Sequence, residues 1–220
     1  MDKAAESKRQ ARQERFGYVC HRCLRCCHHK GIQLNPYEVA RLARNRGQTT
    51  TQFRADSTVD GAGTVLKQTE SGACVFLGAE GCTVHPDRPL VCRLYPLGRH
   101  VTIGEEERFS HVQPHPLSEG EYNSEGTIAD FLEEQGAAPF IEAADDYLKW
   151  LDTALSALTR DLDTTSDNIM SAPTESDDRL LDMDAAIADH CTSAGCSEPA
   201  DLEDRKTLHL QILYDQLSQR

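Results

Sequence analysis

Apolar and polar positions change rhythm along the chain, and the changes outline its elements. Residues 3–16 are Ala, Gln, Glu, Lys and Arg with few recurring apolar positions, which predicts an exposed helix or arm. Phe16, Tyr18 and Val19 then form a short apolar segment, and Gly31–Leu34 suits a short strand. Asn35-Pro36 reads as an N-cap followed by proline at the first helical position. Val39, Leu42 and Ala43 give that helix one apolar face, and Gly47 closes it. A second helix is expected from a Thr49 cap to Ala55, then a strand or hairpin over 64–77 turning at Gly72. Prolines 86, 89 and 96 leave little room for regular structure, and the polar passage 99–120 reads as a hairpin or loop.

From Gly126 the rhythm becomes helical. Thr127 caps a helix that ends near Gly136. A longer helix follows from about Pro139 to Leu162, with Ile141, Ala144, Leu148, Leu151, Leu155, Leu158 and Leu162 stepping by threes and fours. Two more helices are expected at Leu180–Ala188 and Pro199–Leu217, the latter with Leu202, Leu210, Leu213 and Leu217 on one face. The fold class this predicts is α+β and mostly helical: an irregular cysteine-rich core with a few short strands, followed by C-terminal helices. The expected layout is a basic helix or arm over 1–15 and a cysteine-cluster domain over 16–120. Helices packing on it follow over 121–168, then a linker over 169–177 and acidic helices over 178–220.

Charge divides the chain. Residues 1–110 carry 17 Lys and Arg against 12 Asp and Glu, whereas 111–220 carry 6 against 24. The acidic half should repel nucleic acid and offers a surface for a protein partner. No apolar run is long enough to span a bilayer, and the N-terminus has no hydrophobic signal region, so the expected setting is the cytoplasm.

Nine cysteines change the picture most. An odd number in a reducing compartment argues for metal or catalysis over a disulfide framework. Cys20, Cys23, Cys26 and Cys27 crowd into eight residues, followed directly by His28 and His29. Thiols at C-x2-C spacing can converge on one ion, and Arg22, Arg25 and Lys30 favour the thiolate that metals bind. Cys74, Cys82 and Cys92 complete seven candidate ligands before residue 93. His28 and His29 are either ligands or donors beside the site, or an exposed pair. His21, His85, His100, His111, His115, His190 and His209 read as surface, loop or helix-end residues. Cys191 and Cys196 stand apart and read as buried or idle thiols. Arg88 and Arg93 flank Cys92 and would either stabilise thiolates or an anionic substrate, or pair with the acidic helices.

The run Cys20-x2-Cys23-x2-Cys26-Cys27, then Cys74-Val75-Phe76-Leu77, Gly81-Cys82-Thr83-Val84-His85 and Arg88-Pro89-Leu90-Val91-Cys92-Arg93-Leu94-Tyr95-Pro96, resembles the YkgJ or CxxCxxCC family over roughly residues 18–100. The resemblance implies a zinc- or iron-chelating domain. Flagellin lysine N-methylases look related. The family typically has eight cysteines, so an eighth ligand would come from Cys191, Cys196 or a histidine.

Seven thiols exceed the four that one tetrahedral zinc needs, and adjacent Cys26 and Cys27 are expected to diverge, which implies two sites or one cluster with spare ligands. The steps at Cys20, Cys23 and Cys26 match the opening of a ferredoxin run, which favours a [4Fe–4S] cluster with Cys74, Cys82 or Cys92 as the fourth ligand. Zinc uses equally close spacing. Three function classes follow: a metal-binding module, an iron–sulfur enzyme such as a lysine-methylase-like transferase, and a zinc-stabilised interaction module. No Gly-rich nucleotide loop and no C-x3-C-x2-C spacing is present.

Overall fold

The computed structural model describes residues 10–21, 23–60, 64–104, 106–114, 116–164 and 181–218, with backbone only over 158–164. The described residues form seven α-helices and three two-stranded antiparallel sheets, a mostly helical α+β fold as expected. None of the helices is long and apolar enough to cross a membrane. The chain divides into two compact units, one of residues 1–32 and 68–139, the other of 33–67 and 140–220.

The first unit is built on a long-range strand pair. Strand β1 (Arg15–Val19) runs antiparallel to β6 (Glu121–Thr127), with Gly17 opposite Asn123 and Val19 opposite Glu121. Residues 10–14, expected to be helical, are instead a bridge and a turn, and the earlier part of the expected arm lies outside the described residues. The reason is a demand from elsewhere in the unit. Gln10 pairs with Phe109, and the carbonyls of Arg12 and Glu14 accept from Ala129 and Ile128 at the start of helix α4 (Ile128–Glu134). Thr127 caps α4 in a reciprocal box with Asp130. Phe16 is buried against Phe131, ring centroids 5.0 Å apart in an edge-to-face contact. Strands β2 (Leu77–Gly78) and β3 (Gly81–Cys82) form a minimal hairpin. Helix α3 (Leu90–Leu94) leads into the hairpin of β4 (Leu97–His100) and β5 (Arg108–His111), which overlaps the polar passage 99–120 read as a hairpin or loop.

The second unit is helical. Helix α1 (Pro36–Arg46) has the Asn35 cap, Pro36 start and Gly47 stop that its sequence predicts, and Thr49 caps α2 (Thr50–Ser57). Their buried faces, with Tyr37, Val39, Leu42 and Phe53, belong to the same core as α5 (Ala138–Thr164), α6 (Met183–Ala194) and α7 (Leu202–Ser218). Helix α5 buries Phe140, Ile141, Ala143, Tyr147 and Ala154, while Leu151 and Leu155 are exposed, so its core face is rotated from the expected leucine stripe. The side chains of Leu158 and Leu162 and the expected linker over 169–177 lie outside the described residues. His209, expected on the surface, is fully buried, and Tyr147 Oη meets its Nδ1 at 2.8 Å. Lys206 on the same helix is buried beside the carboxylates of Glu142, Asp146 and Glu203.

Candidate metal centre

All seven N-terminal cysteines lie in the first unit. Cys20 and Cys23 follow β1, and the chain then turns sharply. Leu24 adopts φ 63°, Arg25–Cys27 form one turn of 3-10 helix, and His29 adopts φ 54°. Two non-glycine residues in the left-handed region cost about 1 kcal/mol or more each and must be held by their surroundings. Part of that hold is visible. The Cys27 N–H donates to Leu24 O at 3.0 Å, and His28 Nδ1 lies 3.2 Å from the same oxygen. Leu24 Cδ2 lies beside Gly81, 3.6 Å from where a Cβ there would sit, which is ordinary contact distance.

The knuckle is then stitched to the next cysteine segment. Residues 68–74 form a tight hairpin with Gly72 at φ 77°. Its second arm pairs with the end of the knuckle: His29 N–H donates to Gly72 O at 2.7 Å and Cys74 N–H to Cys27 O at 2.8 Å. Cys82 follows on β3, and Cys92 lies in α3. Arg93, next to Cys92, is 6% exposed and donates to Pro86 O, Arg88 O and Gln135 O, so it fixes this turn through backbone carbonyls.

The thiols form one electrostatic neighbourhood. Cys27 feels Cys26, Cys92 and Cys82, and Cys74 feels Cys82. Arg88 feels Cys92, Cys82 and Cys20, and Tyr18 feels Cys20, Cys23 and Cys26. Arg88 therefore stands as a cation among thiols, tethered by His85 O and Gln135 Oε1 at 2.9 and 2.8 Å. Tyr18, Tyr95 and Tyr122 line the same region, and Lys30 Nζ stands 3.9 Å above the Tyr95 ring.

Cys26 and Cys27 do not diverge as adjacent side chains were expected to: the 3-10 turn holds their sulfurs 4.0 Å apart. The contact with Cys27 draws the Cys26 thiol down to about 6, helped by Lys30 and His28 against the cost of burial. The same contact, with burial, pushes Cys27 up. Cys23 is lowered by a backbone N–H of Glu119, whereas burial raises Cys74 and Cys82. A lowered Cys26 favours the thiolate form that soft metals take.

Among the described residues, no three His, Cys, Asp or Glu side chains converge closely enough to hold an ion. The donor set fits a thiophilic metal in kind, and the Cys26–Cys27 pair fits in spacing. Of the histidines, His29 packs its ring over Gly72, His100 Nε2 meets Ser110 Oγ at 2.7 Å, and His111 stacks on Tyr122 at 5.1 Å. Arg22 and His115 lie outside the described residues. Cys191 and Cys196 belong to the second unit.

Residues 19–115 match a family model that contains this whole set, described as "CxxCxxCC: Putative zinc- or iron-chelating domain". This segment is similar to that family. The match spans every cysteine of the cluster and supports the resemblance read from the motif, with a zinc or iron ion as the ligand class. No curated protein and no solved structure matches the chain. Sequence reasoning missed what this segment does with its backbone: the left-handed turns at Leu24 and His29 and the pairing of 27–29 with 72–74. Leucine and histidine give no local signal for positive φ.

Proposed function

We propose that residues 19–115 are a metal-binding module of the CxxCxxCC kind that chelates zinc or iron through ligands drawn from Cys20, Cys23, Cys26, Cys27, Cys74, Cys82 and Cys92. The observation that carries this reading is the 4.0 Å separation of the Cys26 and Cys27 sulfurs. Two thiolates on one tetrahedral ion, each about 2.3 Å from it, sit about 3.8 Å apart, so this pair needs almost no movement to share an ion. A [4Fe–4S] cluster takes one cysteine per iron, which suits an adjacent pair less well. A mononuclear thiolate site is therefore the first reading.

Bound there, such an ion ties separate loops together and supplies folding free energy that the small hairpins lack. The protein's own part is to lower the Cys26 thiol, to place Arg88 near the remaining sulfurs, and to fix the Cys92 turn through Arg93. The second reading is a [4Fe–4S] cluster on Cys20, Cys23 and Cys26 with Cys74, Cys82 or Cys92, leaving Cys27 spare. Its support is the ferredoxin-like spacing. Thiols in this number suit a reducing compartment, and we assign the protein to the cytoplasm on that ground. Metal analysis of Cys26→Ser/Cys27→Ser tests the proposal. Loss of the ion supports it, and full metal content in the double variant overturns it. Acid-labile sulfide matched to iron would select the cluster.

A further inference from the structure

Cys191 and Cys196 form a second, separate pair. Cys191 lies in the last turn of α6 and is 4% exposed. Gly195 reverses the chain at φ 68°, and the Cys196 N–H donates to Cys191 O at 3.1 Å. This brings the exposed Cys196 back over the helix end, where its thiol donates to Cys191 Sγ at 2.7 Å.

That separation decides between two chemistries. Sharing a tetrahedral ion would require the sulfurs to open to about 3.8 Å, an outward movement of about 1.1 Å. Forming a bond requires closure to about 2.05 Å, an inward movement of about 0.7 Å. No third metal-ligating side chain joins them among the described residues. The pair differs in both respects from Cys26 and Cys27, which stand at ligand spacing inside a pool of thiols.

We propose that Cys191 and Cys196 are a reversible thiol–disulfide site, oxidised by a small disulfide of the glutathione class and independent of the metal centre. The exposed Cys196 thiolate attacks one sulfur of the oxidant, whose S–S bond breaks. The first glutathione thiolate leaves with the bonding pair and takes up the proton that Cys196 lost. Cys191 then attacks Cys196 Sγ, and the second glutathione leaves with the bonding pair and the proton from Cys191. Two protein thiols are oxidised, and one disulfide is reduced to two thiols. Burial sets the order, because Cys196 is the sulfur an oxidant can reach. The product locks the Gly195 turn onto the end of α6.

Treating the full-length protein with glutathione disulfide, then alkylating and digesting it with trypsin, tests the site directly. Both cysteines fall in the peptide of residues 180–205, apart from the other seven. The expected result is loss of both alkylation sites in that peptide and a mass lower by two hydrogens. Cys191→Ser should accumulate glutathione on Cys196, and Cys196→Ser should leave Cys191 unmodified. Two alkylated cysteines in the treated wild type would overturn the proposal, as would stable glutathione on wild-type Cys196.

Discussion

Replacing Arg93 with alanine should unlatch the turn that carries Cys92. The guanidinium is buried and donates to three backbone carbonyls, of Pro86, Arg88 and Gln135, the last two at 2.9 and 2.7 Å. A buried carbonyl that loses its donor costs about 1–3 kcal/mol, but water admitted to the vacated space recovers part of that. Because the three bonds share one side chain they do not add independently, and a net loss of about 3 kcal/mol follows. The only tryptophan, Trp150, lies in the other unit, so its fluorescence is a poor reporter. Hydrogen exchange read on peptides covering 86–96 and 131–137 is the suitable assay. A loss of about 3 kcal/mol corresponds to roughly a hundredfold faster exchange wherever local opening governs it. Arg93→Lys keeps the charge but not the planar fork, and should fall between the two. Exchange in Arg93→Ala within about threefold of wild type would correspond to under 1 kcal/mol and refute the latch.

Two further perturbations probe other parts of the structure. Gly72→Ala should lower both melting temperature and metal content: its φ of 77° disfavours a side chain, and the new Cβ would lie 2.1 Å from His29 Nδ1. An unchanged melt would show that the knuckle does not depend on this hairpin. Tyr147→Phe should cost about 1 kcal/mol in urea unfolding followed by Trp150 fluorescence, through loss of the bond to His209. Burial, with the charge of Asp146, raises the Tyr147 phenol above its ordinary 10.0, so its contribution to stability is full below pH 10 and declines as the pH rises further. The variant should show a shallower alkaline decline, and an identical slope would contradict that burial effect.

What the sequence made legible was local. Asn35-Pro36 and Gly47 bracket α1, Thr49 opens α2 and Thr127 opens α4, because each cap needs only residues within one turn of itself. The pairing of β1 with β6 was not legible, since its partners are about a hundred residues apart and β6, Glu121–Thr127, lacks an apolar alternation. The same strand pair explains why Gln10–Glu14 abandon the helix that their propensities favour. The burial of His209 needed knowledge that Tyr147 faces it from α5. For the candidate centre, the cysteine spacing announced the chemistry, but the bend that turns Cys26 and Cys27 to one side depends on tertiary contacts around Leu24 and His29.

Metal and acid-labile sulfide content, measured on protein purified without air and on Cys26→Ser/Cys27→Ser, tests the central claim most directly. The account predicts stoichiometric zinc or iron in the wild type and its loss in the double variant. A folded wild-type protein that binds neither metal, or a double variant that retains its full complement, would contradict it.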